Sequence, residues 1–287
     1  MRVSLALLLL AASVHASPVK SGPRTIFDLE RVGDGVYAAI ARRPAPPAVS
    51  NAAFIILSDG VLVVDSHLKP EASKVLLREI KKITDKPVRY LVQTHHHSDH
   101  VGGNTAFPGA IDIIAHKRTR NRLKRWNPTK ARLPDLVLKD EIIFHRGREL
   151  QVLYVGRGHT DGDIVVWLPT SKILITGDLL FHGRTIGFMK DGFVGDWIQT
   201  MDSLVALKPE SVVPGHGPLA GSQDLLAFKS YLIAFLASVQ AHFDRGESLE
   251  KTLLTYRLPK AYRDWGMQDM ALASNIKRVW KEIKRAH

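Results

Sequence analysis

The segment Thr94-His95-His96-His97-Ser98-Asp99-His100-Val101-Gly102-Gly103 constrains this chain more than any other. It sets four histidines and an aspartate within the six positions from His95 to His100. Imidazoles and a carboxylate crowded this closely form a donor set for a metal ion. The preceding residues, Val88 to Thr94, are β-branched and apolar, so the histidines are expected to leave the carboxyl end of a buried strand. Open α/β sheets place their chemistry at that edge. The glycine pair is expected to let the chain turn tightly behind the histidines.

The chain contains no cysteine, which removes thiolate as ligand or nucleophile and removes disulfides as supports. Any metal must be held by nitrogen and oxygen donors, which leaves zinc, iron and manganese open. The start has a different character: Met1-Arg2, the apolar run Leu5 to Ala12, and Val14-His15-Ala16 before Ser17 match a signal peptide. That run is shorter than the ~20 residues of a spanning helix. Cleavage near Ala16 and a secreted or periplasmic location are therefore expected. No other apolar stretch reads as a membrane span, and the remaining length suits one large domain.

Val36 to Ala41, Ala52 to Leu57 and Val61 to Asp65 read as strands, with Asp59-Gly60 a hairpin signal. Pro70 opens a helix with Ala72, Leu76, Ile80 and Ile83 at helical spacing, ending before Lys86-Pro87. Ile111 to Ala115 is a further strand, followed by a basic helix from His116 to Trp126. Asp140 to Phe144, Leu150 to Val155, Asp163 to Leu168, Lys172 to Thr176 and Glu210 to Val213 complete the strand candidates. Trp197 to Leu207 and Gln223 to Phe243 read as helices, the second with Leu226, Tyr231, Phe235 and Val239 on one stripe. Two sheets faced by helices on both outer sides would bury all these faces.

Three further islands resemble the histidine loop in pairing a histidine or carboxylate with glycine: Gly158-His159-Thr160-Asp161-Gly162-Asp163, Thr176-Gly177-Asp178 and Pro214-Gly215-His216-Gly217. Each is expected to follow a strand. In this order, His-x-His-x-Asp-His, Gly-His-Thr, Thr-Gly-Asp and Pro-Gly-His-Gly resemble the metallo-β-lactamase superfamily. The resemblance implies an α/β fold, a four-layer αββα sandwich over residues 25–219, with 220–287 a C-terminal helical extension packed on the same domain. It implies that His95, His97 and His159 hold one Zn2+ and that Asp99, His100 and His216 hold a second. Asp178 would bridge the two. Asp65 would support the ligands from behind, Asp163 would brace its loop, and His96 would point away by alternation of side chains. Iron or manganese is the alternative metal.

The chemistry expected of such a site is hydrolysis, with metal-bound hydroxide attacking the carbonyl of an ester, thioester, lactone or β-lactam and Asp99 orienting it. Asp178 stands where cysteine-ligand β-lactamases carry a thiolate, and Phe181 where they carry a carboxylate-binding lysine. The signatures of glutathione thioesterases and quorum-signal lactonases are also incomplete around Leu180 to Arg184. A mononuclear iron persulfide dioxygenase-like oxidoreductase is the alternative from another class, and an accessory protein without turnover a third. His67, His116, His145, His182 and His242 read as ordinary surface or packed residues, and Asp161 as solvated.

The formal net charge of +12 favours anionic partners or surfaces. Arg42 and Arg43, in the proline-rich stretch Ala41 to Ala48, are candidates for holding an anionic small-molecule substrate. The basic cluster from Lys117 to Arg125 lacks interleaved aromatics, so nucleic acid is not expected. Peripheral association with an anionic envelope is an option. Trp265 to Met270 belongs near the pocket or at a subunit contact.

Overall fold

The computed structural model describes residues 26–42, 47–183, 186–265 and 269–286. The expected signal peptide, Thr25 and Arg43 lie outside the described residues, as do 266–268 of the stretch Trp265 to Met270.

The chain opens with β1 (Phe27–Gly33), β2 (Val36–Ala41), β3 (Ala52–Ile56) and β4 (Val61–Val64), followed by α1 (Pro70–Ile83), β5 (Val88–Val92) and the short α2 (Ser98–Val101). Then come β6 (Asp112–His116), α3 (Lys117–Arg125) and β7 (Leu136–Leu138). These seven strands form one sheet in sequential order, antiparallel from β1 to β4 and parallel from β4 to β7. A second sheet takes β8 (Glu141–His145), β9 (Glu149–Leu153), β10 (Val165–Leu168), β11 (Ile173–Phe181) and β12 (Ser211–His216). Its order is β12-β11-β10-β9-β8, with α4 (Val194–Ala206) crossing between the parallel pair β11 and β12. Three helices close the chain: α5 (Ser222–Asp244), α6 (Leu249–Thr255) and α7 (Asp269–Ala286).

Alternation along the strands explains the layering. In β3 and β4, Ala53, Ile55, Leu62 and Val64 point between the sheets, where they meet Val152, Val166 and Ile175 of the second sheet. Phe54 and Val63 point the other way, onto Ala72, Leu76 and Ile80 of α1. In β10, Val166 faces the first sheet whereas Val165 and Trp167 face the helical layer of α4, α5 and α7. The result is the four-layer αββα sandwich. Leu76 is fully buried, and its truncation to alanine would cost about 2–5 kcal/mol in such a core.

Several elements differ from the sequence expectation. β1 and β7 carry no strong alternating signal and were not anticipated. The strand read as Lys172 to Thr176 runs on to Phe181, so Asp178 lies inside β11 and not after it. Gly177 makes this continuation possible: its φ of +52° is left-handed, and a Cβ there would lie 2.4 Å from Thr94 Oγ1. Gly102 and Gly103 turn out to have ordinary φ values of −66° and −88°. Their need for glycine is close approach, because a Cβ would lie 2.1 Å from the Leu68 carbonyl oxygen and 2.0 Å from that of Ser66. On α5, Leu226 is exposed, and the buried stripe is Leu225, Phe228, Tyr231, Leu232, Phe235 and Val239. By length and composition α5 also passes as a membrane span, contrary to the sequence reading. Its stripe belongs to the largest core cluster, as expected of a core helix.

Candidate metal centre

The four motif islands meet at one edge of the sandwich. The two sheets are tied there by the Ile164 N–H donating to the Thr94 carbonyl, 2.9 Å, and by the Asn51 N–H donating to the Gly215 carbonyl, 2.7 Å. Asn51 also donates Nδ2 to the carbonyls of Pro214 and Gly217, which fixes the loop that carries His216.

Asp65 is the organising acid behind the histidine loop. Its backbone is held at φ 60°, in the left-handed region that non-glycine residues adopt uncommonly. One carboxylate oxygen accepts the Thr94 N–H at 2.8 Å, and the other accepts the Thr94 hydroxyl at 2.7 Å and faces His100 Nδ1 at 2.7 Å. His100 therefore donates from Nδ1, which directs Nε2 at the site. The Thr94 hydroxyl proton is spent on Asp65, so its oxygen accepts from His95 Nδ1 at 3.1 Å, and Nε2 of His95 is also left free. His97 runs the opposite way: Nε2 faces Asp191 Oδ2 at 3.1 Å, and Nδ1 lies 2.8 Å from His159 Nε2.

Besides a cluster of His96, His97 and Asp191, two groups of donors result. His95, His97, His159 and Asp178 offer atoms within 4.8 Å of one another, and so do Asp99, His100 and His216. Asp178 touches both groups. Its Oδ2 lies 3.3 Å from His159 Nε2 and 3.7 Å from His95 Nε2, whereas Oδ1 lies 3.0 Å from His100 Nε2 and 3.3 Å from His216 Nε2. Asp99 Oδ2 is 3.2 Å from His216 Nε2. His95 Nε2, His100 Nε2 and Asp178 Oδ1 are buried without a hydrogen-bond partner among the described residues. Buried polar atoms are rarely left so, and here they converge on common points as donors around cations do.

The electrostatics of the two groups diverge. Burial pushes the His159 imidazole down to about 3, and burial with the neighbouring His100 holds His95 well below its usual range. Burial works against charge at His100 and His216 as well, but Asp178 and Asp99 outweigh it. His216 is lifted to about 9 and His100 well above the ordinary histidine value. Asp178 and Asp99 stay well below the usual carboxylate range despite burial, because imidazoles face them on several sides.

The other anticipated residues fall as follows. Asp163 accepts the Thr160 N–H at 2.7 Å and its hydroxyl at 2.6 Å, bracing the loop after His159, and burial raises it to about 7. His96 stays outside the seven donors but does not turn to solvent: it is buried, with Nε2 3.8 Å from Asp191. Asp161 is half-buried, with Oδ1 3.7 Å from Arg122 Nε. His67, read as ordinary, is fully buried with Nδ1 on the Ser50 carbonyl and its ring stacked on Phe27. His116 stacks on Tyr154, His182 faces Asp224, His242 faces Glu247, and His145 is exposed. The Arg42 guanidinium is engaged by Asp28, and Arg42 is not among the described residues that line the cavity.

A cavity of about 550 Å³ opens over both donor groups. Phe181 forms part of it, its ring 5.5 Å from those of both His159 and His216. Asp191, Lys190 and Asn275 escaped the sequence reading. Asp191 sits 94 positions from His97 in a segment without period, and the only local cue is an acid beside a glycine.

A family model described as the metallo-β-lactamase superfamily matches residues 45–216. A metallo-β-lactamase type 2 of Elizabethkingia meningoseptica is 32% identical over 173 residues, 58% of this chain and 68% of its own. The type 2 enzyme of Bacillus cereus is 30% identical over 182 residues, 62% and 70%. Among solved structures, a metallo-β-lactamase from Pontibacter korlensis superposes with a TM-score of 0.65 at 25% identity, covering 72% of this chain and 99% of that one. With the αββα sandwich and its clustered His and Asp donors, these matches establish that the chain belongs to the metallo-β-lactamase superfamily and is a metal-dependent hydrolase.

Proposed function

We propose that this hydrolase is exported, holds two Zn2+ ions, and cleaves a carbonyl compound: an ester, thioester, lactone or β-lactam. The observation that carries the reading is the Asp178 carboxylate, whose two oxygens face two different donor groups. His95, His97 and His159 would hold one ion and Asp99, His100 and His216 the other, with Asp178 shared between them. The donors suit zinc, being imidazole and carboxylate with no thiolate. Such a metal pair, when bound, supplies a water activated near neutral pH and a Lewis acid for the substrate carbonyl.

The chain's own residues do the positioning. Asp65 and the Thr94 hydroxyl aim His100 and His95, and Asp191 aims His97. The Ser50 hydroxyl is bonded to the Asp99 carbonyl, which holds the Asp99 backbone beside His216. Asp99 stays ionised and can orient a nucleophilic water through its carboxylate. Phe181 and Trp197 pack against His159 and keep that side of the floor apolar, which strengthens the electrostatic interactions above it. Export rests on the charged start, apolar run and small-residue site ending at Ala16.

β-Lactams lead the substrate panel because the relatives are named metallo-β-lactamases. Phe181, in place of a carboxylate-binding lysine, keeps thioesters and lactones beside them. The test is metal analysis of the purified mature chain, with turnover of nitrocefin, a thioester and a lactone measured side by side. Two zinc per chain and chelator-sensitive turnover of at least one substrate are expected. About one iron per chain, or two zinc with no turnover on the whole panel, overturns the reading.

A further inference from the structure

The cavity has two walls of different origin. One consists of donor residues, including His97, Asp99, Asp178 and His216; the other contains Trp126, Phe188, Lys190 and Ser274. Trp126 and Phe188 are unusually open for large aromatics, at 57% and 42% exposure. Lys190 is the one Lys or Arg among the described lining residues, and it has no ion pair among the described residues. Its Nζ stands 5.9 Å from the centre of the Trp126 ring. An unpaired ammonium beside two exposed aromatic rings suits a ligand arm that is apolar along its length and anionic at its tip.

The segment that displays Phe188 and Lys190 is gripped from behind by α7. Asn275 is fully buried; its Oδ1 accepts the Met189 N–H at 2.7 Å and its Nδ2 donates to the Gly187 carbonyl at 3.1 Å. Arg278 donates to the Gly192 carbonyl and lies 5.1 Å from the Phe193 ring centre. Glu282 accepts the N–H groups of Val194 and Gly195 at 3.0 and 2.9 Å, where a carboxylate complements the start of α4. With Gly187 and Met189 bonded to Asn275, the alternate side chains of Phe188 and Lys190 face the cavity. α7 lies beyond residue 216, where the family match ends, so the part of this wall that carries Phe188 and Lys190 is held by chain outside the matched region.

We propose that this wall is a substrate subsite for a carboxylate-bearing apolar arm, with Lys190 recognising the anion and Asn275 positioning Lys190 through the loop. The kinetic half of its test rests on the hydrolase reading above, whereas the binding half does not.

The binding half is calorimetric titration of the zinc-loaded full chain with 4-phenylbutyrate and with its neutral amide. Lys190→Gln is expected to weaken the acid about 10-fold, the equivalent of about 1.4 kcal/mol, and to leave the amide within about 2-fold. A carboxylate that merely bound zinc would be insensitive to this change. Asn275→Ala is expected to reproduce the selective loss, and the double variant to be no weaker than Lys190→Gln alone, because both act through one ammonium. Arg278→Gln loosens the same loop from another point and gives the same pattern in milder form, should Asn275→Ala fold poorly. The kinetic half compares mono-p-nitrophenyl glutarate with p-nitrophenyl valerate, where Lys190→Gln raises KM for the first ester and spares the second. Equal effects on acid and amide, no effect on either, or additive losses in the double variant overturn the proposal. Zinc-loaded chain that turns over neither these esters nor the nitrocefin, thioester and lactone panel but shows the selective binding loss refutes the proposed carbonyl-hydrolase reading while sustaining this one.

Discussion

On one side of Asp178, His95 and His159 are buried with other imidazoles and their basicity falls; on the other, His100 and His216 face Asp99 and Asp178 and theirs rises. Similar side chains a few ångströms apart are thus held in opposite protonation states by their neighbours. The three-imidazole group presents neutral lone pairs from His95 and His159. The carboxylate group instead balances buried Asp99 and Asp178 with imidazolium protons, which a cation must displace. One half of the centre is ready for metal near neutrality, and the other trades protons for it.

The largest expected effect comes from removing what the two halves share. Asp178→Ala should empty or weaken both groups and lower kcat/KM by about 10³-fold or more, about 4 kcal/mol of transition-state stabilisation. Retention of both ions by this variant, read by elemental analysis, would break the shared-carboxylate account. Asp99→Asn touches only the carboxylate half and should leave one ion bound with kcat/KM about 100-fold lower. Asp191→Ala touches only the other half, through His97, and is expected to weaken the first ion by about 10–100-fold in chelator competition. If Asp191→Ala instead weakened the second ion, the division into halves would be misdrawn.

The smallest effect is the most specific to the comparison. His216 is raised to about 9 and His100 well above its ordinary value, so at pH 7 both carry a proton that metal must displace. Loading the carboxylate half should therefore release about two protons, and its affinity should rise as pH rises toward 9. His95 and His159 are already neutral at that pH and should release none. Potentiometry on stepwise zinc addition to wild type and Asp99→Asn separates the two.

Much of the site was legible because its donors are local in sequence: His95, His97, Asp99 and His100 sit on one loop, and Gly-His and Thr-Gly-Asp mark the others. The strands were legible from alternation, which later sorted Ala53 and Ile55 from Phe54 by layer. What escaped has no local signature. Asp191 reaches His97, and Asn275 reaches Met189 across 86 positions, through loop geometry that no period encodes. Arg42 was plausible by composition, but its bidentate partner Asp28 lies on the neighbouring strand β1, a pairing evident only once the register of β1 on β2 is known. Gly102 and Gly103 do lie in a turn, as expected, but what demands glycine there is crowding from Ser66 and Leu68, more than thirty positions earlier.

The central claim is that Asp178 serves two cations at once, and anomalous diffraction at the zinc edge from crystals of the zinc-loaded chain tests it most directly. The account predicts two peaks, one among His95, His97 and His159 and one among Asp99, His100 and His216, with Asp178 contributing an oxygen to each. A single peak, or a second ion lodged between His96, His97 and Asp191, would contradict it.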